Sequence, residues 1–132
     1  MTRADALQRA TDYFDSGELR QTLAHRVAFA TESQEPTQAP VMSAYLNEHM
    51  VPLLESLGFV CQIWPNPVAG GPPFLFAERA GRDAPFAVLS YGHGDVVRGY
   101  AAQWHAGLEP WTMVVDGDRW YGRGTADNKG QH

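Results

Sequence analysis

Apolar positions in the first part of the chain recur at helical intervals. Leu7, Ala10 and Phe14 are spaced by three and four, and Gly17 ends or bends that segment. Leu19, Leu23, Val27 and Ala30 continue the period beyond it. Ser33 to Pro40 is polar and carries Pro36 and Pro40, which marks a loop. A further helix is predicted from about Val41 to Leu57, with Tyr45, Met50, Leu53, Leu54 and Leu57 on its inner face, a kink at Pro52 and Gly58 as its C-terminal cap.

From Phe59 onward the period becomes that of strands. Phe59 to Trp64 and Phe74 to Glu78 are two candidates, separated by the turn-forming stretch Pro65 to Pro73, and Ala80-Gly81-Arg82-Asp83 reads as a hairpin-like connection. Phe86-Ala87-Val88-Leu89-Ser90 has no polar alternation, so it is expected to be a central strand buried on both faces. Thr112 to Val115 and Asp118 to Tyr121 flank Asp116-Gly117, a dipeptide favoured in tight hairpins. Helices over about 4–57 followed by a sheet-forming part over about 59–132 give a single α/β domain without internal repeats.

Composition narrows the class. At 132 residues the chain can bury a core, and its apolar share of 44% is ordinary for a globular protein. The charged share of 19% is low, which points to surface meant to be covered. A formal net charge of -5, with no run of Lys and Arg, argues against nucleic acid as a partner. Cys61 is the single cysteine and sits in a strand-like run, so it is expected to be a buried structural thiol in a reducing, cytoplasmic setting. No apolar segment approaches the ~20 residues that span a bilayer, so no membrane association is expected.

The chemistry concentrates in two glycine-rich turns. Tyr91-Gly92-His93-Gly94-Asp95-Val96-Val97 follows the apolar run at Phe86 to Ser90, which would put His93 at the C-terminal edge of a sheet, where ligands bind in α/β folds. Asp95 is placed to reach back to the second ring nitrogen of His93, the supporting contact usual for a metal-binding imidazole. Asp127, within Tyr121-Gly122-Arg123-Gly124-Thr125-Ala126-Asp127-Asn128-Lys129-Gly130, offers a carboxylate able to bridge two divalent ions, or to cap a helix starting near Lys129. Gly122-Arg123-Gly124 is not a dinucleotide turn, because Asp127 stands where its third glycine would be. His25 and His49 are expected at solvent edges of helices, Trp104, Trp111 and Trp120 as packing groups, and Lys129 as a solvated lysine.

These residues resemble the M20 family of metallopeptidases and amidohydrolases. The resemblance rests on Gly92 to Val97, then Trp104, Pro110-Trp111, Asp116-Gly117 and Tyr121 to Gly130, in that order; Arg98 departs from it, standing where many members have proline. It implies the N-terminal part of a three-layer α/β/α zinc-exopeptidase-like catalytic domain with a mixed central sheet. It implies two zinc ions per complete site, with cobalt as a substitute, held in part by His93 and Asp127, with Asp95 orienting His93 as a catalytic residue. It implies a cis peptide bond between Asp127 and Asn128. It implies a peptide or acylated amino acid as substrate, and a homodimer formed through a lid domain not contained in these residues. The general-base glutamate and the remaining ligands of the family pattern would lie after Asp127, where this chain has only Asn128 to His132. These residues alone are therefore expected to be inactive. The competing reading is a non-catalytic α/β binding or assembly domain without metal. Geometry separates the two, since only the first requires His93 and Asp127 to converge.

Overall fold

The computed structural model describes residues 2–81 and 85–132. Helix α1 (Arg3–Asp15) starts with a reciprocal cap in which the Thr2 hydroxyl accepts the Asp5 N–H and the Asp5 carboxylate accepts the Thr2 N–H. Gly17, at φ +81, breaks the helical stripe as its position suggested, and α2 (Glu18–Ala28) follows. A short 3-10 turn (Pro36–Gln38) leads into one long irregular helix: α3 (Ala39–Ala44), a π-helical stretch (Tyr45–Met50) and α4 (Val51–Ser56).

Pro52 explains the irregularity. It has no N–H for the carbonyl one turn earlier, and its ring crowds that carbonyl. The helix widens just before it, so that the Val51 N–H reaches the carbonyl of Leu46. At the far end Gly58 takes φ +83, its N–H bonds the Glu55 carbonyl at 2.9 Å, and the Phe59 N–H bonds the Leu54 carbonyl at 3.0 Å. This is a Schellman cap at the glycine where the helix was expected to end.

The described strands form two separate antiparallel pairs. β1 (Val60–Trp64) pairs with β2 (Phe74–Glu78) in the register Gln62↔Phe76. β3 (Val114–Asp116) pairs with β4 (Arg119–Tyr121), with Asp116 opposite Arg119. The central residues of that hairpin are thus Gly117 and Asp118, one position later than the Asp116-Gly117 reading, and Gly117 takes the left-handed conformation at φ +55.

The architecture is α/β, and its sheets are small. Phe86 to Ser90, expected to be a buried central strand, carries no strand pairing; Phe86 is 73% exposed and Leu89 is 91% exposed. The reason is pairing rather than propensity: an apolar run becomes a central strand only where strands lie on both sides, and none of the described strands does so. The mixed central sheet of the expected three-layer domain is therefore not formed among the described residues. The connection expected at Ala80 to Asp83 runs into residues 82–84, outside the described set.

The core lies elsewhere. Leu23 and Val27 of α2, Met42 and Tyr45 of the long helix, and Val96 are buried, together with the polar residues Arg26, Thr31 and Lys129. The α2 stripe thus packs inward as predicted. The α1 stripe does not, since Leu7 and Phe14 stay more than half exposed, although Phe14 stacks on Trp120 with ring centres 6.0 Å apart. Cys61 is half-buried in β1 rather than fully buried, and desolvation followed by the neighbouring Glu55 raises its thiol pKa, the opposite of what activates a nucleophile. No described helix is long and apolar enough to cross a membrane.

Candidate metal centre

The His93 turn is stitched onto the segment that leaves α2. The Val96 N–H bonds the Thr31 carbonyl at 2.9 Å, the Ser33 N–H bonds the Val96 carbonyl at 3.2 Å, and the Thr31 hydroxyl donates to the Gly94 carbonyl at 2.5 Å. Gly94 lies directly against the Tyr45 ring, and a Cβ there would overlap ring carbons. The second turn closes onto the first at Gly124, at φ +88, wedged between the Lys129 stem and Val96. Two loops distant in sequence are thereby held by one buried patch.

The predicted residues come together on this frame. His93 Nδ1 lies 3.2 Å from Asp95 Oδ1 and 3.0 Å from the Asp95 carbonyl oxygen. Both neighbours are acceptors, so in a neutral ring Nδ1 would be the nitrogen that carries the hydrogen and Nε2 the one that offers a lone pair. Nε2 faces Asp127 Oδ1 at 3.6 Å. That separation is too long for a hydrogen bond. It is close to the roughly 3.4 Å between two ligands that bind one tetrahedral ion at about 2.0–2.2 Å each. A lone pair and a carboxylate oxygen facing each other repel unless a cation or a proton lies between them, so the pair suits either two coordination positions of a metal ion or an ion pair with a protonated imidazole. Among the described residues no group of three or more His, Cys, Asp or Glu side chains is placed to hold a metal. Asp127 is exposed, and His93 and Asp95 are partly so, which leaves this face of the pair open.

Two expectations about the second turn are corrected here. The described chain has no cis peptide bond, so the link from Asp127 to Asn128 is trans; Asn128 instead takes the left-handed conformation at φ +58, which asparagine tolerates better than most residues. Residues 125–131 are bends and turns with no helix for Asp127 to cap.

Lys129 reverses its expected setting. Its side chain is fully buried, and Nζ donates to the carbonyls of Arg26 at 3.0 Å and Phe29 at 2.7 Å, lying 5.3 Å from the centre of the Tyr45 ring. Burial pushes its ammonium down to about 8, against a smaller upward pull from Asp95. Arg26 donates to the Lys129 carbonyl at 2.9 Å, to the His132 carbonyl, and through Nε to His49 Nε2 at 3.2 Å. His49 is therefore no solvent-edge histidine: burial first, then Arg26, pushes it down to about 4. His132 is pushed down to about 4 by the same two causes and meets the Tyr45 hydroxyl at 2.8 Å, while burial pushes Tyr45 up to about 12. His25 is exposed as expected.

No local signal marked this buried layer. Lys129, in polar sequence surroundings, reads as surface, and only the fold shows it and Arg26 inside. Asn128 was the one position with a usable hint, since Asp-Asn-Lys-Gly favours turn conformations; its Oδ1 accepts the His93 N–H at 3.1 Å. The tryptophans pack as predicted. Trp104 donates to the Gly99 carbonyl at 2.7 Å beneath the Arg123 guanidinium, and Trp111 closes over Gly99. His105 lines a shallow groove with Trp104, Tyr121 and Arg123, apart from the His93–Asp127 pair. Arg98, which stands where many members of the family have proline, pairs with Glu35 at 2.5 Å.

The chain matches no family model. It is 32% identical over 114 residues to the succinyl-diaminopimelate desuccinylase of Legionella pneumophila (strain Paris), covering 86% of this chain and 26% of that protein. It is 37% identical over 84 residues to the protein of the same name from strain Lens, covering 63% of this chain and 20% of that one. The chain belongs to the M20 peptidase and amidohydrolase family. Its fold agrees: the di-peptidase Dug1p from Saccharomyces cerevisiae superposes with a TM-score of 0.73 at 21% identity, over 89% of this chain and 27% of that one. The M20 chain described here thus spans about a quarter of the length of the relatives it matches.

Proposed function

We propose that the protein to which this M20 chain belongs hydrolyses an amide bond in a peptide or an N-acylated amino acid, using a zinc centre to which His93 and Asp127 contribute. The observation that carries this reading is the meeting of His93 Nε2 and Asp127 Oδ1 at 3.6 Å, with Asp95 occupied on the opposite ring nitrogen. The desuccinylase and di-peptidase names of the relatives support the amide-hydrolase part. When bound, the ion would polarise the scissile carbonyl and lower the pKa of water.

Each residue of this chain has a definite part. His93 offers the neutral Nε2 lone pair. Asp95 holds Nδ1–H, which fixes the tautomer and raises the basicity of the ring. Asp127 would add negative charge and carboxylate oxygens to the donor set. Cobalt is the natural substitute for zinc in a donor set of one imidazole and carboxylates. The reading also carries a cytoplasmic setting, no nucleic-acid or membrane partner, and a homodimer made through a lid domain beyond these residues.

No adjacent glutamate pair follows Asp127 within the chain, so these 132 residues alone are expected to bind metal weakly and to hydrolyse nothing. The test uses the complete protein loaded with zinc, assayed on N-succinyl and N-acetyl amino acids and on dipeptides. His93→Ala and Asp127→Ala should each abolish turnover and lower bound zinc measured by mass spectrometry. Full activity or full zinc content in either variant would end the proposal and favour the metal-free binding domain.

A further inference from the structure

Three consecutive residues after the second glycine-rich turn behave in three ways. Asp127 presents its carboxylate to His93 Nε2. Asn128 accepts the N–H of the same histidine at 3.1 Å. Lys129 turns away from both and enters the interior, where its ammonium takes the carbonyls of Arg26 and Phe29 at the C-terminal end of α2. Those carbonyls lie at the negative pole of the helix dipole, where that of Arg26 also accepts the Phe29 N–H at 3.3 Å and that of Phe29 the Thr31 N–H at 2.9 Å.

Arg26 completes the exchange by donating to the main chain of Lys129 and of His132. Each buried cation thus bonds the backbone that bears the other. Neither has an Asp or Glu carboxylate within ion-pair distance among the described residues. Burying two cations is unfavourable unless directional hydrogen bonds replace water. An apolar pair would pack the same space, but it would not specify which carbonyl sits where. What this arrangement adds is register between the end of α2 and the turn at 127–129.

We propose that Lys129 and Asn128 are positioning residues: the Lys129–Arg26 exchange anchors the 127–129 turn on α2, and Asn128 then holds the His93 backbone at the distance that sets Asp127 against Nε2. Its consequence for metal binding rests on the zinc-centre reading; its geometry does not.

The experiment is residue-resolved amide exchange by NMR on the 15N-labelled chain and on Lys129→Met, which keeps an unbranched stem and loses the ammonium. The His93 N–H is expected to exchange at least tenfold faster, beyond any change at the α2 amides such as Val27. Equal acceleration at His93 and throughout α2, or none, would mean that Lys129 only stabilises the fold, and would overturn the proposal. Should Lys129→Met fail to fold, Asn128→Gly decides. It permits the positive φ and retains Lys129 while removing the Oδ1 acceptor. The side-chain resonances of His93 and Asp127 should then shift while those of Tyr45 stay in place; unchanged His93 and Asp127 resonances would overturn the proposal. Cobalt absorption on the complete protein and its Asn128→Gly variant separates the two ideas. A selective effect at His93 together with no Co2+ binding by the complete protein supports positioning and removes the metal reading, whereas a tenfold loss of Co2+ affinity in Asn128→Gly supports both.

Discussion

The α2 end of the molecule and the segment from β1 to Tyr91 are both rich in apolar side chains, yet only the first buries them. Around α2, Leu23, Val27, Met42, Tyr45 and Val96 are all less than a tenth exposed, and they close over Arg26, Thr31 and Lys129. Between β1 and Tyr91, by contrast, Val60, Phe74, Phe86, Val88, Leu89 and Tyr91 are all more than half exposed. The composition of the two regions does not separate them. What differs is long-range closure: the α2 region is crossed by bonds from residues 94, 96, 129 and 132, whereas the described residues of the other region form one local hairpin, held to the end of the long helix by the Arg79 bond to the Leu57 carbonyl. An apolar stretch shows that a segment needs a partner, and the tertiary contacts show whether it has one.

The contrast is most easily broken at Tyr45. Its ring touches Phe29, His49, Lys129 and His132, so Tyr45→Ala should cost about 3–5 kcal/mol, typical of deleting a buried aromatic side chain, measured by urea denaturation. A loss below about 1 kcal/mol would mean that the α2 region is as loosely held as the other. Lys129→Met should cost less, about 1–3 kcal/mol, through hydrogen bonds lost at two buried carbonyls.

The pH response sharpens the same comparison, because its groups lie on the α2 side. His49 and His132 have folded values of about 4 against an ordinary 6.5. The unfolded chain therefore takes up protons first as pH falls. Stability should be fully present above about 6.5 and be lost as pH drops toward 4, with a slope of at most about 1.4 kcal/mol per pH unit for each histidine, and less after solvent screening. Lys129, at about 8 against 10.5, works in the same sense at the alkaline end: stability rises between those values, where only the unfolded chain stays protonated. His49→Gln should flatten the acid limb in thermal melts recorded across pH. An unchanged slope would place His49 in solvent.

The smallest effect is expected in the other region. Leu89→Ser should change stability by less than about 0.5 kcal/mol while reducing self-association in sedimentation velocity, because it removes an exposed apolar group without opening a cavity. A large destabilisation would show that Leu89 is buried in solution.

Much of the secondary structure was legible because its causes are local. Gly17 and Gly58 end helices by adopting conformations that other residues resist, Pro52 distorts the helix before it by lacking an N–H, and Gly117 turns a hairpin. The site was legible in part for a similar reason. His93 and Asp95 are close in the chain, so a glycine-flanked turn is enough to bring ring and carboxylate into contact. Readings went wrong where local context misleads. Phe86 to Ser90 looks like a central strand from its apolarity, and Lys129 looks solvated from its charge, yet each outcome depends on residues distant in sequence.

The amino-acid order by itself determined the helix breaks, the hairpins and the identity of the residues able to meet a cation, because each follows from backbone conformation or side-chain chemistry within a few positions. Only the tertiary structure decided that Asp127 faces His93, that Lys129 and Arg26 lie inside, and that the run before His93 stands uncovered. Burial and convergence are properties of chain closure, and a side chain acquires them from partners that its own neighbourhood in sequence does not contain.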